Sequence, residues 1–317
     1  MSIFFLIVGF VLLVLGGEFL VRSSVALSLK LNFSKLVIGM TVVSFATSVP
    51  ELLVSLNAAL SGAPAIAINN VVGSNIANIG LVLGITAIIG SIGVDASFYR
   101  IHWPVMMVFS GMLYYFLWND DQLSTVEGAI LFIGLIFFVV YLIQNQKTAT
   151  NSINDLEEVD DALVKVSGSK IGLWLLIGAT ALYFGSEWLL RGATEIAIIA
   201  GVSEAVIGVT MIAIGTSIPE LAASVMAAVK KEKAISLGNL IGSNIFNIGS
   251  VLGITSMIKT IPVTAPSILS RDIFWMLLFA VSIAVLALLP KRNQINQIKG
   301  FVLVVLYGVF IYIAFKG

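Results

Sequence analysis

Two sequence motifs, the first phrase and the second phrase, each occur twice in this chain, and the spacing between their copies is constant. Residues 39–53 read GMTVVSFATSVPELL, and residues 208–222 read GVTMIAIGTSIPELA. Further along, GSNIANIGLVLG at 73–84 reappears as GSNIFNIGSVLG at 242–253. Both pairs are offset by 169 positions, so the duplication is in register without a gap. This pattern predicts two related halves that contribute equivalent segments to one shared site.

Both halves have the composition of a membrane protein. Of the 317 residues, 59% are hydrophobic and 11% are charged, whereas about 25% are charged in soluble domains. The first apolar run is interpreted as a retained helix rather than a cleaved signal, because no positively charged segment precedes it. Apolar segments long enough to cross a bilayer predict ten spans at about 3–21, 36–60, 66–90, 102–118, 126–144, 171–190, 205–229, 234–258, 273–290 and 298–315.

The positive charges predict an orientation, because Lys and Arg concentrate in cytoplasmic loops. With the N-terminus outside, the outer side holds only Arg191, Lys259, Arg271 and Lys316 of the 17 Lys and Arg residues. Five spans per half then give the two halves opposite orientations. We therefore predict an all-α polytopic protein of the cell (inner) membrane, with both termini outside. Its ten transmembrane helices form two inverted five-helix repeats, 1–145 and 171–317, joined by a cytoplasmic acidic linker, 146–170.

The remaining composition disfavours several kinds of chemistry. A net charge of zero gives no indication of a nucleic-acid partner. The absence of cysteine excludes disulfides and thiolate metal sites, and a single histidine disfavours zinc or copper. The acidic linker lacks the ligand spacing of an EF-hand, so a solvated connection is favoured over a calcium-sensing loop. We expect no cofactor, a surrounding of membrane lipid, and function as a monomer.

Each copy of the first phrase places a carboxylate inside an apolar span, at Glu51 and Glu220. An acidic residue at the centre of a membrane helix costs at least about 2.5 kcal/mol, so it normally marks a function. Pro50 removes a backbone donor and frees a carbonyl one turn earlier. Helical spacing puts Thr47 and Ser48 beside Glu51. A kinked helix with a protonated carboxyl would explain one copy, but a matched pair favours a site. The second copy supplies Thr216, Ser217, Pro219 and Glu220.

The second phrase adds a polar face to the following span of each half. Ser74 and Asn78 lie at i and i+4, and their twins are Ser243 and Asn247. All candidate ligands are then hard oxygen donors, which select Na⁺, Ca²⁺ or similar cations over zinc or copper. One Ca²⁺ would neutralise two carboxylates, and several Na⁺ could share the same oxygens.

These phrases resemble the alpha repeats of the cation/calcium exchanger superfamily, and most closely those of prokaryotic sodium/calcium antiporters. The likeness is strongest over 36–90 and 205–258. It implies ten helices in two inverted halves, ion sites at the midplane, and first and sixth helices that slide to switch access. Calcium is implied at Glu51 and Glu220. The other implied ligands are the side chains of Thr47, Ser48, Thr216, Ser217, Ser74, Asn78, Ser243 and Asn247 and the backbone carbonyls of Ser44 and Ala213.

The chain departs from the family pattern at two places. Ala46 precedes Thr47 where a glycine is frequent, although the second copy keeps Gly215. Asn78 and Asn247 stand where members of the family often carry aspartate, which removes site charge and argues against potassium dependence. It also argues against protons as the main counter-ion.

We therefore predict a secondary antiporter that exchanges Ca²⁺ for Na⁺ by alternating access. A calcium/proton or other cation/proton antiporter on the same scaffold is the main alternative. A cation channel fits inverted repeats less well, and no nucleophile–base pair or cofactor motif indicates an enzyme. At matched span ends, Glu18/Arg22 and Glu187/Arg191 predict interfacial i,i+4 salt bridges.

Overall fold

The computed structural model describes residues 1–145, 161–201, 215–289 and 293–316. Within these ranges the chain is a bundle of long helices, and a helical turn at Asp161–Val164 precedes the second half. The helices are α1 (Ser2–Leu31), α2 (Lys35–Leu60), α3 (Ala65–Ile89), α4 (Trp103–Asp120), α5 (Thr125–Gln144), α6 (Gly168–Ile199), α7 (Ile218–Val229), α8 (Lys233–Ile258), α9 (Ile268–Leu288) and α10 (Gln297–Lys316).

Eight of the described helices are long and apolar enough to cross a membrane. The exceptions are α4, whose Tyr, Trp and terminal Asn-Asp residues lower its mean hydropathy, and α7, of which 12 residues are described. The predicted all-helical membrane architecture is confirmed. The count of ten spans stays a prediction, because residues 205–214 of the predicted seventh span lie outside the described ranges. Most of the acidic linker, 146–160, lies outside them too.

The helices that carry the second phrase lie innermost. In the most apolar window of each helix, 72% of α3 and 83% of α8 are buried, against 28% of α1 and 22% of α6. α1 and α6 pack closely on each other: a β-carbon on Gly9 would lie 2.8 Å from Gly185 O, and one on Gly16 would lie 3.0 Å from Gly178 O. A separate apolar cluster around Leu20 holds this outer pair against the inner helices.

Two short antiparallel strand pairs connect the halves, and the sequence does not predict them. β1 (Ile92–Gly93) pairs with β4 (Gln294–Ile295), while β2 (Gln122–Leu123) pairs with β3 (Ile261–Pro262). β1 and β3 occupy equivalent repeat positions, so each half contributes one strand to each pair. Each pair also joins two loops that the charge count assigns to the same side of the membrane.

Wide π-helical turns interrupt the inner helices at equivalent positions. Asn78–Leu83 lies within α3 and Asn247–Leu252 lies within α8. A third such turn, Gly39–Val43, forms the start of the acidic phrase in α2 and precedes Thr47 and Glu51. An inserted residue of this kind shifts the helical register and is frequent at functional sites. Here Asn78 and Asn247 each begin a π-helical turn, so both predicted ligands lie where the α-helical hydrogen-bond pattern changes.

The charges at the span ends have partners other than those predicted. Glu18 pairs with Lys230 of the α7–α8 turn at 2.7 Å, and Arg191 pairs with Glu195 at 3.2 Å. The Arg22 guanidinium instead lies 4.7 Å from the centre of the Trp174 ring. The predicted Glu18/Arg22 and Glu187/Arg191 pairs were wrong, because Glu18 and Arg22 contact side chains of other helices and Arg191 pairs with Glu195, one turn further along α6.

Candidate cation site

The first acidic phrase lies in α2, which crosses α8 at very close range. A β-carbon on Gly242 would lie 2.5 Å from Met40 O and closer still to Ser44 Oγ. One on Gly238 would meet Met40 N at 2.9 Å. Only glycine allows such an approach of two backbones. Across the crossing, the Ser44 hydroxyl donates to Asn239 O at 2.9 Å.

The crossing brings a hydroxyl of the first half against polar side chains of the second. Thr47 Oγ1 lies 3.2 Å from Asn239 Oδ1 and 3.3 Å from Ser243 Oγ. Asn239 is in turn oriented by its own half, because its Nδ2 donates to Ser224 Oγ at 3.0 Å. All four side chains are buried. The first acidic phrase, in α2, is therefore hydrogen bonded to polar side chains of α8, the third helix of the second repeat.

The second half repeats this arrangement with the roles exchanged. Thr216 Oγ1 donates to Asn70 Oδ1 at 3.2 Å and lies 2.9 Å from Ser74 Oγ. Asn70 Nδ2 donates to Ser55 Oγ at 3.1 Å, as Asn239 does to Ser224. Each of these residues stands 169 positions from its counterpart in the other half. Predicted ligands from opposite halves, Thr47 with Ser243 and Ser74 with Thr216, thus come together.

The sequence reasoning missed the residues that orient these hydroxyls. Asn70 and Asn239, and likewise Ser55 and Ser224, lie outside the two phrases and received no role. A signal was available, because each pair is an identical polar residue at the repeat offset within an apolar span. A search for identical polar residues across the two halves would have found both pairs.

Two carboxylates lie at the centre of this network. Glu51 and Glu220 are both fully buried at equivalent positions of the two halves. The hydroxyls of Thr47 and Ser243 lie near Glu220 without meeting the full geometry of a hydrogen bond. In the described part of the chain, no group makes a well-formed hydrogen bond to a carboxylate oxygen of either residue. Buried carboxylates without donors or counter-charges are strongly unfavourable, so the pair requires cations or protons.

Further predicted ligands have buried polar atoms without a partner among the described residues. These atoms are Ser48 Oγ, Ser217 Oγ, both amide atoms of Asn78, and Asn247 Oδ1. Ser44 Oγ lies 2.9 Å from both Gly39 O and Asn239 O, and the Ser44 backbone carbonyl, the predicted ligand atom, accepts from Thr47 Oγ1 at 3.4 Å. Ala213 lies outside the described residues.

The chemistry of the cluster is that of hard oxygen donors. In the described ranges, no group of three or more His, Asp or Glu residues could hold a metal ion, so carboxylates alone do not form a cage. Two carboxylates supplemented by hydroxyl and amide oxygens suit Ca²⁺ or Na⁺, which accept neutral oxygen ligands. The side-chain oxygens present therefore fit Ca²⁺ or Na⁺.

Fold and site together define a helical membrane protein with a buried, acidic, oxygen-lined cluster between two repeated halves. The chain belongs to the sodium/calcium exchanger protein family, whose pattern it matches over residues 1–144 and 170–316.

Two curated proteins and one solved structure are similar over nearly the full length of the chain. The inner membrane protein YrbG of Escherichia coli is 33% identical over 317 residues, covering 98% of this chain and 94% of that protein. The sodium/calcium exchanger MaX1 of Methanosarcina acetivorans is 28% identical over 343 residues, covering 98% and 97%. A structure of the sodium-calcium exchanger NCX_Mj, soaked with Na⁺ and Ca²⁺, has 30% identity and a TM-score of 0.82, covering 98% and 97%.

Proposed function

We propose that this protein exchanges Na⁺ for Ca²⁺ across the membrane and binds both ions around Glu51 and Glu220. The observation that carries the proposal is the pair of fully buried carboxylates that lack donors within the described residues. Family membership and the likeness to NCX_Mj, itself described as a sodium-calcium exchanger, support the choice of ions. The transported ions are thus substrates, and the chain needs no resident cofactor.

The proposed ligands come from both halves. Ca²⁺ takes six to eight oxygens, so two carboxylates leave room for hydroxyl, amide and carbonyl donors. Several Na⁺ distributed over the same oxygens would replace one Ca²⁺, and competition between them couples the two fluxes. The supplementary donors proposed are Thr47, Ser48, Ser74, Asn78, Thr216, Ser217, Ser243 and Asn247, with the carbonyls of Ser44 and Ala213.

Electrostatics explains why exchange would not become leakage. Without a cation, two neighbouring ionised carboxylates would have to pass through apolar surroundings, which is strongly unfavourable. Bound Ca²⁺ or Na⁺ neutralises the carboxylates and removes that barrier. The site therefore changes its access only when it is loaded, so movement of one ion requires return movement of the other.

Alternating access on inverted repeats is the proposed mechanism. The two strand pairs support it, since each joins one loop from each half, the two pairs are related by the repeat, and both agree with the sides assigned from charge. The outer pair, α1 and α6, is the proposed moving unit, because these helices are far less buried than α3 and α8 and join the rest through a separate apolar cluster. The ions would bind near the membrane midplane, between the repeats.

The same proposal implies a membrane location and a topology for the protein. Ten spans would place both termini outside and the linker 146–170 in the cytoplasm, within the inner membrane of a cell. A single copy would suffice, because both halves that build the site belong to one chain.

Flux in reconstituted vesicles tests the exchange. We expect that vesicles loaded with Na⁺ take up ⁴⁵Ca²⁺ when diluted into Na⁺-free buffer, and that protein-free vesicles do not. Gradients of K⁺ and of pH, imposed separately without Na⁺, serve as matched conditions. Calcium uptake driven by the pH gradient alone would favour a cation/proton antiporter. Uptake without any counter-ion gradient that does not saturate would indicate a channel and contradict the proposal.

A further inference from the structure

Asn75 and Asn244 occupy equivalent positions in the two halves but make different hydrogen bonds. Asn75 Nδ2 donates to Asn244 O at 3.2 Å, and Asn75 Oδ1 accepts from Asn247 Nδ2 at 3.1 Å. Asn244 Nδ2 donates instead to Leu240 O, one turn earlier in its own helix, at 2.7 Å. The side chains of Asn75, Asn244 and Asn247 are all buried. One side chain therefore links the halves, while its twin bonds locally.

These hydrogen bonds fix the orientation of the side-chain amides of Asn75 and Asn247. A backbone carbonyl can only accept, so Asn75 must turn its NH₂ group toward Asn244 O and its oxygen toward Asn247. Because that oxygen also only accepts, Asn247 must present its own NH₂ group to Asn75. Asn247 Oδ1 is then directed away from Asn75, and it has no partner among the described residues. This oxygen is thereby available to a cation.

The equivalent position in the first half has no such restraint. Asn78 stands at the repeat position of Asn247 and is equally buried. Within the described residues, neither its Nδ2 nor its Oδ1 has a hydrogen-bond partner. The repeat counterpart of the restraining Asn75 is Asn244, whose side chain is oriented instead by donating Nδ2 to Leu240 O. The two asparagines therefore present their amides to the site under different constraints.

We propose that Asn75 is a positioning residue that holds Asn247 Oδ1 ready as a cation ligand, whereas Asn78 adjusts its amide to the ion bound. This inference rests on the exchange proposed above. A neighbour that fixes a ligand removes the cost of ordering it, and loss of such a neighbour weakens metal binding. An adjustable second amide lets the same cluster accept one Ca²⁺ or several Na⁺.

Substitution of Asn75, with its repeat twin as control, tests the role. Asn75→Ala is expected to raise the Ca²⁺ concentration for half-maximal uptake about 10-fold, as when an outer partner of a metal ligand is removed. The maximal rate should change much less, because the carboxylates remain. Asn244→Ala loses only a local bond and keeps the backbone carbonyl, so its shift should be clearly smaller. Thermal unfolding and size-exclusion profiles verify that each variant is folded.

A double-mutant cycle separates positioning from general damage to the core. In an Asn247→Ala background, Asn75→Ala should add no further loss of Ca²⁺ affinity, because no amide remains to be oriented. Additive losses, or equal shifts from Asn75→Ala and Asn244→Ala, would overturn the inference. If Asn75→Ala does not fold, Asn75→Ser is judged by the same cycle. An unaltered protein without sodium-driven uptake contradicts the exchange, whereas an active exchanger insensitive to Asn75 contradicts only the positioning role.

Discussion

The two copies of the acidic phrase share the segment Thr-Ser-x-Pro-Glu-Leu, yet the structure presents it differently in the two halves. Thr47 and Ser48 lie within the continuous helix α2, downstream of a π-helical turn. Thr216 and Ser217 lie in a turn immediately before α7 begins at Ile218. The contacts that support each threonine are nevertheless matched across the halves. The two halves have thus kept equivalent hydrogen bonds to the threonines, whereas the backbone conformation at the predicted ligands differs between them.

This divergence matters because a strictly symmetric site would offer every ion two equal half-sites. A doubly charged ion and several singly charged ions need different arrangements of oxygen ligands. Fixed contacts such as Asn239–Ser224 supply rigidity, while the unrestrained Asn78 amide supplies adjustment. The variants below ask which parts of the two halves are interchangeable.

The largest effect is expected where the halves should be equivalent, at the carboxylates. Glu51→Gln and Glu220→Gln should each weaken Ca²⁺ binding by at least about 100-fold and abolish sodium-driven uptake, because loss of a buried charged partner costs several kcal/mol. Both would be measured as ⁴⁵Ca²⁺ uptake in Na⁺-loaded vesicles. Full activity in either variant would remove that residue from the site.

Glu127→Gln is a matched control for these substitutions. Glu127 lies in the first turn of α5, where its carboxylate accepts from Ser124 N at 2.8 Å. Glutamine serves equally well at this capping position. We therefore expect uptake and stability close to those of the unaltered protein, so that a loss at Glu51 or Glu220 reports on the site alone.

The next largest effect should come from separating the halves at their closest crossing. Gly242→Ala forces α8 away from Met40 O and Ser44 Oγ, and overpacking of this kind costs about 1–3 kcal/mol. Thermal unfolding in detergent should show a lower Tm. Gly111→Ala in α4 is the control, because its β-carbon would meet nothing within 4 Å. Equal melting temperatures for the two variants would contradict a tight α2–α8 crossing.

The sequence was sufficient to predict the spans because their apolar runs and their duplication are strong signals. It placed α2 and α3 closely, since α2 begins at Lys35 where the predicted span begins at 36, and α3 ends at Ile89 where the span ends at 90. It ended the first and sixth spans too early, at 21 and 190, whereas α1 continues to Leu31 and α6 to Ile199. It did not predict the strand pairs, whose two-residue lengths carry no pattern. These pairs depend on loops brought together by the packing of distant helices.

Within the site, residue types were predictable but their partners were not. Carboxylates and hydroxyls stand out in an apolar span because each is costly there. Asn75 and Asn244 look equivalent in sequence, yet one bonds across the halves and the other to Leu240 O. That difference comes from side-chain orientation after packing, which repeat symmetry alone cannot distinguish. The ion-pair prediction at Glu18 was wrong for the same reason.

A smaller effect on stability should show whether the equivalent hydrogen bonds Asn239–Ser224 and Asn70–Ser55 contribute equally in the two halves. Ser224→Ala leaves Asn239 Nδ2 without its described acceptor, and an unmet buried donor costs about 1–3 kcal/mol. Ser55→Ala should cost less, because Asn70 Nδ2 also reaches Glu51 O at 3.4 Å. Thermal unfolding of both variants should rank Ser224→Ala as the less stable. The opposite order would mean that the Glu51 carbonyl contact contributes nothing.

The smallest effects are expected at the surface ion pairs. The direction of the change in uptake rate tests whether the outer helices move relative to the inner ones. Glu18–Lys230 ties α1 to the α7–α8 turn, whereas Arg191–Glu195 lies within α6. Lys230→Ala should lower stability by at most about 1 kcal/mol, since both side chains are partly exposed, and less at high salt. If α1 moves past the inner helices during exchange, breaking this tie should slightly raise the uptake rate, while Arg191→Ala, which breaks no contact between moving parts, should not. A slower Lys230→Ala variant of unchanged stability would argue that the pair guides α1 rather than restrains it.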